Sequence, residues 1–393
     1  MKRTKLLTLL LTALFLATVL LVVGCGPANT DSTNEGQPNS ENPTANSGET
    51  TGKAPETTGS NSGISDLPLP TEPDFINPLT GLACSENVSK QRPVAMTINN
   101  VKIACPQEGV SAADLIYECN AEGGITRLLC FFQNYSSLGQ TGSVRSAREY
   151  FIDFAQNHDA LLFHAGGSEE AYSQIAQRKI DNFDGVRMGY LGDAFYRDTW
   201  RWNNMGQEHS LMTKGEGILS ALQKKATATG KTIRTELDKD FKSPFNFVKY
   251  GSQADLNGTE AKCVYLPFSN YQHPYLKYDS TTNTYKRWQY DQPHVDKTNE
   301  KQLEFTNIIV LFCYQSGALD AAGHIKVDCT GTGEGYYITN GQKIDIKYSK
   351  LDGDSPMKLY NADGTPLEMN RGKTYVAVMG NSTKDRVELN YNK

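Results

Sequence analysis

Residues 26–74 contain no aromatic side chain, and this stretch limits where the chain can fold more than any other. Asn, Thr, Ser, Gly, Pro and Glu dominate it. A segment of this composition cannot bury enough apolar surface to offset the chain entropy lost on folding. We therefore predict a disordered tether over residues 25–73, and we expect folded structure in the roughly 320 residues that follow.

The chain begins with the features of an export signal. Three basic residues among the first five precede an apolar run over residues 6–23, which ends at Gly24 and Cys25. A basic segment, an apolar segment and small residues at a cleavage point are typical of a secretory signal peptide. We predict a signal peptide over residues 1–24.

The end of this signal, LVVGC (residues 21–25), resembles the lipobox of bacterial lipoproteins. The resemblance implies that Cys25 is diacylated on its sulfur and becomes the new N-terminus. Each buried CH₂ of an acyl chain contributes about 0.8 kcal/mol, so two chains hold a protein stably at a bilayer. We expect a protein that is lipid-anchored through Cys25 at the extracytoplasmic face of the cell membrane.

The part of the chain that follows the signal is acidic. Loss of the three N-terminal basic residues leaves 36 Lys and Arg residues against 44 Asp and Glu residues. A nucleic-acid-binding protein usually carries a basic domain or stripe, and none is visible in the sequence. We therefore expect no nucleic-acid partner, and any site for an anion must be local.

Besides Cys25 the chain has seven cysteines, an odd number that leaves at least one thiol free. No C-x-x-C or Cys/His spacing indicates zinc, and we expect neither a metal nor another cofactor. Cys130 and Cys313 lie in apolar, strand-like runs, where a cysteine is typically a small buried hydrophobe. The sequence does not determine which cysteines pair.

Residues 74–235 show both strand and helix patterns. Strands are predicted over residues 93–99, 114–120, 126–133 and 159–165. Helices are predicted from near Arg145, over residues 168–177 with Ser168 as N-cap, and over residues 213–229 with a stop at Gly230. The mixture indicates an α+β (or α/β) fold, in which an N-terminal mixed sheet has flanking helices.

Residues 236–393 consist mainly of strand-like runs separated by turn signals such as Asn-Gly and Asp-Gly. We predict a β-rich C-terminal domain with a boundary between residues 235 and 236. The sequence GTGEG (residues 331–335) superficially resembles a nucleotide-binding loop. Because no helix pattern follows it, we interpret it as a hairpin turn.

Four segments beside predicted strand ends are rich in polar residues: YECNAEGGITR, SVRSARE, FHAGGSEE and FYRDTWRWNNMGQEHS. Ligands of α/β proteins bind in the crevice beyond the carboxyl ends of strands, and arginines there can hold a phosphate or carboxylate in bidentate geometry. The candidate ligand-binding residues are Glu122, Arg127, Arg145, Arg148, Glu149, His164, Arg197, Asp198, Arg201 and His209. The alternative is that the arginines pair with carboxylates and fasten loops; the candidate partners are Glu122, Glu149, Asp153 and Asp198.

These same segments resemble a known family. RPVAMTINN, GVSAADLIYECNAEGGITRLLCFFQ, GSVRSAREYFIDFA and DALLFHAGGSEEAY are similar to the N-terminal domain of the YerB-like lipoproteins, a bacterial family of unknown function. TYKRWQYDQPHVD, NIIVLF and GEGYYITNGQKIDIKYSK resemble its C-terminal domain. The resemblance implies a two-domain architecture and a location at the cell surface, without an established activity.

Two functions of different class follow. The first is a surface lipoprotein that binds an anionic envelope ligand or a protein partner through an arginine-rich cleft. The alternative is an envelope enzyme that acts on a phosphorylated lipid or glycan, with Glu122, Asp198 or His209 as acid-base candidates. The order strand, arginine-containing turn, helix, strand, Gly-Gly, helix is similar to that of the LytR-CpsA-Psr phosphotransferases, in which arginines grip a polyprenyl pyrophosphate.

Overall fold

A computed structural model of the chain describes residues 70–254 and 256–393. The predicted signal peptide, the lipidation site at Cys25 and the tether up to residue 69 lie outside the described residues. The carboxylate of Glu72 already contacts the folded chain, since it lies 2.5 Å from the guanidinium of Arg371. In the described part of the chain, no helix is long and apolar enough to cross a membrane.

Helices and short strands alternate up to residue 229. The strands are β1 (Val94–Asn99), β2 (Leu115–Asn120), β3 (Thr126–Phe132), β4 (Thr141–Gly142), β5 (Leu161–His164), β6 (Asn182–Asp184), β7 (Tyr196–Arg197) and β8 (Leu211–Thr213). The helices are α1 (Glu86–Lys90), α2 (Glu149–Gln156), α3 (Glu169–Gln177), α4 (Thr199–Met205) and α5 (Gly215–Thr229).

Strands dominate the rest of the described chain. They are β9 (Asn246–Phe247), β10 (Thr259–Glu260), β11 (Cys263–Tyr265), β12 (Tyr275–Asp279), β13 (Thr284–Gln289), β14 (Gln292–Pro293), β15 (Glu304–Phe305), β16 (Asn307–Gln315), β17 (Val327–Asp328), β18 (Gly331–Thr339), β19 (Gln342–Lys350), β20 (Lys358–Asn361), β21 (Glu368–Met369) and β22 (Thr374–Gly380). The predicted class, a mixed sheet with helices followed by a β-rich region, is confirmed.

The helix-end predictions are also confirmed. The Ser168 hydroxyl accepts a hydrogen bond from the amide of Ala171 at 3.1 Å and so caps α3. Gly230 ends α5 with φ of 65°, the left-handed conformation that glycine adopts without a steric penalty. Local sequence signals therefore determine both helix ends.

The GTGEG sequence does not form the predicted turn. Residues 331–335 lie inside β18, and the hairpin to β19 is made instead by Asn340 and Gly341, with φ of 51° and 74°. The glycines serve close packing: a Cβ on Gly333 would lie 2.2 Å from the ring of Tyr348. The prediction of a turn was wrong because packing against residues distant in the sequence, and not chain reversal, accounts for the glycines.

One long sheet joins strands from both halves of the chain, in the order β10-β19-β18-β16-β22-β2-β3-β1-β5-β6. Strand β22 lies parallel to β2 on one side and to β16 on the other. A smaller sheet has the order β11-β12-β13-β14, with β15 beside β13. The domain boundary between residues 235 and 236 stays a prediction. The pairing of β2 with β22 joins strands from the two sides of this boundary.

Both faces of the long sheet are buried. Met96 of β1 belongs to one hydrophobic cluster and its neighbour Ala95 to another, because successive side chains point to opposite faces. Helix α5 and the smaller sheet supply side chains to the first cluster, and α2 and α3 to the second. Because both faces are covered, polar residues can reach solvent at the ends of strands such as β1 and β5.

A buried ion pair connects the two halves. Glu118 of β2 and Arg287 of β13 are 0% and 1% exposed, and their charged atoms lie 2.6 Å apart. The Glu118 carboxylate also accepts hydrogen bonds from Thr126 at 2.6 Å, from Asn100 at 3.0 Å and from Tyr375 at 2.5 Å. A buried carboxylate is stable only when its oxygens are satisfied in this way.

The surroundings of Arg287 continue this network. Arg287 donates a hydrogen bond to Nδ1 of His294. Because Nδ1 is the acceptor, the proton of the neutral imidazole is on Nε2, which donates to the side-chain oxygen of Gln107 at 2.8 Å. Burial and the charge of Arg287 hold the pKa of His294 well below its usual value. The Asp296 carboxylate accepts from the backbone amide of Gly109 at 3.0 Å. The motif TYKRWQYDQPHVD thus docks the second half onto the loop after β1.

Replacement of Arg287 by Met should lower the free energy of unfolding by about 3–5 kcal/mol, because it leaves the buried Glu118 carboxylate unpaired. The neighbouring change Lys286→Met removes a solvent-accessible pair with Asp279 and should cost less than about 1 kcal/mol. Urea unfolding measures both. The double change Glu118→Gln with Arg287→Met should be less destabilising than Arg287→Met alone; a larger loss would contradict the charge argument.

Candidate functional site

The carboxyl ends of β1 and β5 meet at one edge of the long sheet, since the two strands are parallel neighbours. A loop over residues 143–148 crosses this edge. The amide of Arg145 donates to the carbonyl of Thr97 in β1 at 2.8 Å, and the amide of Ala165 donates to the carbonyl of Arg145 at 2.9 Å. The loop is thereby bound to both strand ends.

The helix predicted from near Arg145 begins later, at Glu149, with Arg148 as N-cap. The early start was wrong because backbone groups of the loop bond to distant residues: Ala147, for example, donates to the carbonyl of Gly166. Arg145 therefore does not lie in the first helical turn, and its guanidinium pairs with Glu208 instead.

Glu122 holds two arginines, and these three residues form the first part of the site. The Glu122 carboxylate pairs with Arg127 on one oxygen and with Arg148 at 2.8 Å on the other. Arg127 and Arg148 are only 2% and 5% exposed. Burial alone would raise the pKa of Glu122, but the two guanidinium groups outweigh it and lower the pKa.

The two arginines are under electrostatic stress. Burial and the neighbouring Arg148 lower the pKa of Arg127 to about 10. One carboxylate does not neutralise two cations, and in the described residues the Nε of Arg148 is buried without a hydrogen-bond partner. Glu149 is a second carboxylate near Arg148, whose charge acts to lower the pKa of Glu149 against the larger, opposing effect of burial.

Arg145 and Arg197 form the second part of the site, around the turn at residues 207–209. Arg145 donates to the main-chain carbonyl of Glu208 at 2.8 Å and lies 3.3 Å from its exposed carboxylate. Arg197 donates to the main-chain carbonyl of Gln207 at 2.5 Å. Burial and the nearby charge of Arg145 lower the pKa of Arg197. These two guanidinium groups are thus oriented largely by carbonyl oxygens, which carry no net charge.

His209 lies beneath these arginines. Its Nδ1 accepts a hydrogen bond from the Asn99 side-chain amide at 2.7 Å, and its Nε2 lies 3.3 Å from the Glu208 carboxylate. Burial lowers the pKa of His209; Arg145 and Arg201 lower it further, against the opposing effect of Glu208. The imidazole is therefore neutral at pH 7 and positions the end of β1.

Arg201 and Asp198 have structural positions. Arg201 is 0% exposed; it pairs with Glu108 at 3.0 Å and donates to the carbonyl of Pro106 at 2.6 Å. Asp198 caps α4 by accepting from the Arg201 amide at 2.7 Å. The candidate residue Arg201 therefore lies inside the protein.

His164 lies apart from the arginines, and Glu149, next to Arg148, faces a separate cavity. His164 is fully buried, between the carbonyl of Gly166 at 2.8 Å and the side-chain oxygen of Asn182 at 3.2 Å. Glu149 lines a separate cavity of about 870 Å³ that also contains Asp153. Burial and the nearby Glu170 raise the pKa of Glu149. Within the described ranges, no group of three or more His, Cys, Asp or Glu side chains could hold a metal ion.

The sequence did not reveal the aromatic part of this surface. Trp200 and Trp202 are 52% and 44% exposed, and the guanidinium carbon of Arg197 lies 5.9 Å from the Trp202 ring centroid. A signal was present, because two of the three tryptophans of the chain occur in FYRDTWRW. We define the arginine site as Arg145, Arg197 and Trp202.

The chain matches the models of a known protein family. The family described as protein of unknown function (DUF3048) matches it with an N-terminal domain over residues 79–229 and a C-terminal domain over residues 264–376. The chain is 29% identical over 310 residues to "Putative lipoprotein YerB" of Bacillus subtilis (strain 168), over 77% of this chain and 85% of that protein.

A solved structure is similar as well. The crystal structure of YerB protein from Bacillus subtilis superposes with a TM-score of 0.65 at 26% sequence identity. The match covers 78% of this chain and 97% of the solved chain. The resemblance predicted from the sequence motifs is confirmed.

Glu122→Gln should lower the free energy of unfolding by about 3 kcal/mol, the lower end of the range for a broken buried pair, because Glu122 is partly exposed. Glu208→Gln removes an exposed carboxylate and should cost less than about 1 kcal/mol. Urea unfolding of both variants at low salt checks this. Equal losses would show that Arg127 and Arg148 do not depend on Glu122.

Proposed function

The chain belongs to the DUF3048 family of proteins of unknown function, and from that premise we propose a function based on its own residues. We propose that it is a lipid-anchored protein of the extracytoplasmic membrane face, and that its arginine site binds an anionic group of an envelope component. The chemistry of that group is a phosphate or a carboxylate. The single observation that carries the binding proposal is that main-chain carbonyl oxygens, which carry no net charge, are the main partners of the Arg145 and Arg197 guanidinium groups.

The anchoring part rests on the N-terminal sequence. The signal-like residues 1–24 end at the lipobox cysteine Cys25, and the relative in Bacillus subtilis carries the name of a lipoprotein. Two acyl chains on Cys25 hold the protein stably at the bilayer.

The binding part rests on charge and position. The chain is acidic overall, with a formal net charge of −5, so a cluster of cations is not a general property of its surface. Arg145 and Arg197 are held by main-chain carbonyls, and Glu122 is shared between two arginines. An anion in bidentate contact with guanidinium groups would complete their pairing.

The tryptophans extend the surface beside the charge. Trp202 lies next to Arg197, and Trp200 is exposed on the same helix. Indole rings present a broad apolar face with one polar N–H. This combination suits an anionic group attached to a larger body with apolar or ring surfaces, such as a phosphorylated envelope lipid or glycan.

Binding is favoured over the enzyme alternative by the states of the acid-base candidates. Two arginines lower the pKa of Glu122, so its carboxylate is ionised at pH 7 and cannot donate a proton there; because both oxygens are paired with guanidinium groups, it is also a weak base. Asp198 already accepts the amide hydrogen bond that caps α4, and Nδ1 of His209 accepts from Asn99. Turnover of a lipid-linked phosphate by the purified protein would favour the enzyme.

The double change Arg145→Gln with Arg197→Gln should abolish stabilisation by an anion while leaving the fold intact, because neither side chain is deeply buried. A ligand present at 100 times its Kd stabilises the folded state by about 2.7 kcal/mol. The measurement is the Tm with and without pyrophosphate at low salt, in the wild type and the variant.

The matched control for this test is Lys239→Gln with Arg386→Gln, which removes the same charge from exposed positions elsewhere. The control should keep the wild-type Tm shift. A shift that survives undiminished in the Arg145/Arg197 variant would contradict the binding proposal. A shift reduced equally in both variants would indicate only general charge attraction.

Cys25→Ser should remove the protein from the membrane fraction, or block its processing, because acylation requires the sulfur atom. Fractionation of cells and the mass of the N-terminal peptide measure the result. Normal cleavage together with unchanged membrane retention would contradict the anchor. Binding of pyrophosphate by the purified variant should be unaffected, which separates the two parts of the proposal.

A further inference from the structure

Three cysteine side chains lie buried together on one face of the long sheet. Cys119 of β2, Cys313 of β16 and Cys329 just after β17 are 0%, 2% and 6% exposed, and all three belong to the same hydrophobic cluster. The proposed binding site does not involve them. Their arrangement along the strands determines which two can form a covalent bond.

The pairing of β16 with β17 places two of these cysteines opposite each other. Tyr314 lies opposite Asp328 in this antiparallel pair, so one residue further Cys313 lies opposite Cys329. The amide of Ser316 donates to the carbonyl of Lys326 at 3.0 Å, which makes residues 316 and 326 a hydrogen-bonded pair. Because such pairs alternate, residues 313 and 329 form a non-hydrogen-bonded pair.

This type of pair has the geometry of a disulfide. The Cα atoms of a non-hydrogen-bonded pair are about 4.5 Å apart, within the range of about 4.4–6.8 Å that disulfides require. The neighbouring Cys313 thiol and burial both raise the pKa of Cys329. Cys119 belongs to β2, which pairs with β22 and β3, so it has no place in this ladder.

We propose that Cys313 and Cys329 form a disulfide bond in the exported protein and that Cys119 remains a thiol. The proposal relies on the export part of the proposed function, because thiols in the cytosol are kept reduced. Buried thiols are inert, so the bond forms during folding, before β17 closes onto β16.

The oxidant is a disulfide, either a small-molecule disulfide or an oxidoreductase in its disulfide form. One cysteine thiolate attacks a sulfur of that disulfide and releases one thiolate, which leaves a mixed disulfide. The second cysteine thiolate then displaces the other thiolate. The two cysteines lose two electrons and two protons, and the oxidant is reduced to two thiols.

The bond would fasten one wall of the cavity that Glu149 lines. It closes the segment of residues 314–328, which includes Leu319, Asp320 and His324, all in the wall of the cavity of about 870 Å³. Restriction of this segment in the unfolded chain stabilises the folded state, as for other disulfide-closed loops of similar length.

The test begins with the full chain expressed with its signal peptide in Bacillus subtilis. Cells are quenched in acid, free thiols are alkylated with N-ethylmaleimide under denaturing conditions without reduction, and the digest is analysed by mass spectrometry. We expect a peptide pair linked through Cys313 and Cys329, and an alkylated Cys119. A Cys119–Cys313 link, or alkylation of both Cys313 and Cys329 in membrane-bound protein cleaved before Cys25, overturns the proposal.

A second measurement separates this proposal from the export it relies on. Reduced, unfolded protein is refolded in a glutathione redox buffer; the link should form in the wild type and in Cys119→Ala. Dithiothreitol should then lower the Tm of both proteins by several degrees. The Tm of the double variant Cys313→Ala with Cys329→Ala should not change. Refolding to the native state without the link overturns the disulfide proposal. If the link forms in the buffer, but protein isolated from cells lacks it and still carries its signal peptide, only the proposed export is overturned.

Discussion

The buried pair of Glu118 and Arg287 is the interaction on which the architecture depends. An ion removed from water loses several kcal/mol of solvation, and only close pairing and full hydrogen bonding restore it. Here the bonds to the carboxylate come from the loop after β1, from β3 and from β22. Strands from both halves must therefore reach their observed positions together before either charge is stable.

This requirement explains why the motifs of the second half are rich in polar residues without forming a ligand site. Arg287, His294 and Asp296 all bind groups of the first half. These residue types also occur in active centres. Here they are buried and fully paired, so they hold the two halves of the chain together. Such a network specifies one arrangement of the strands, since any slip of register would leave a charge unpaired.

The same physics divides the arginines of the candidate site. Arg127, Arg148 and Arg201 are buried and joined to Glu122 or Glu108, so their first role is to hold loops. Arg145 and Arg197 remain near the surface, with carbonyl oxygens as their main partners. Most of the arginines therefore fasten loops, and the proposed anion binding depends on Arg145 and Arg197.

Local patterns predicted most elements correctly. The strand β1 and the cap of α3 at Ser168 depend on neighbouring residues, and both were predicted. The helix near Arg145 and the turn at GTGEG were predicted wrongly, because backbone bonds from Ala147 to Gly166 and the packing of Gly333 on Tyr348 involve partners distant in sequence. Of the candidate site, the sequence indicated the arginines but neither Trp202 nor the carbonyls that orient them.

The sequence by itself determined the positions of most strands and helices, the acidic charge and the family of the protein, because these depend on residues close together in the chain. Tertiary structure decided which arginines are neutralised, that β22 lies beside β2, and that Cys313 faces Cys329. The physical reason is that charge pairing and strand register join residues far apart: Glu118 and Arg287 are separated by 169 positions, and no local period carries that information.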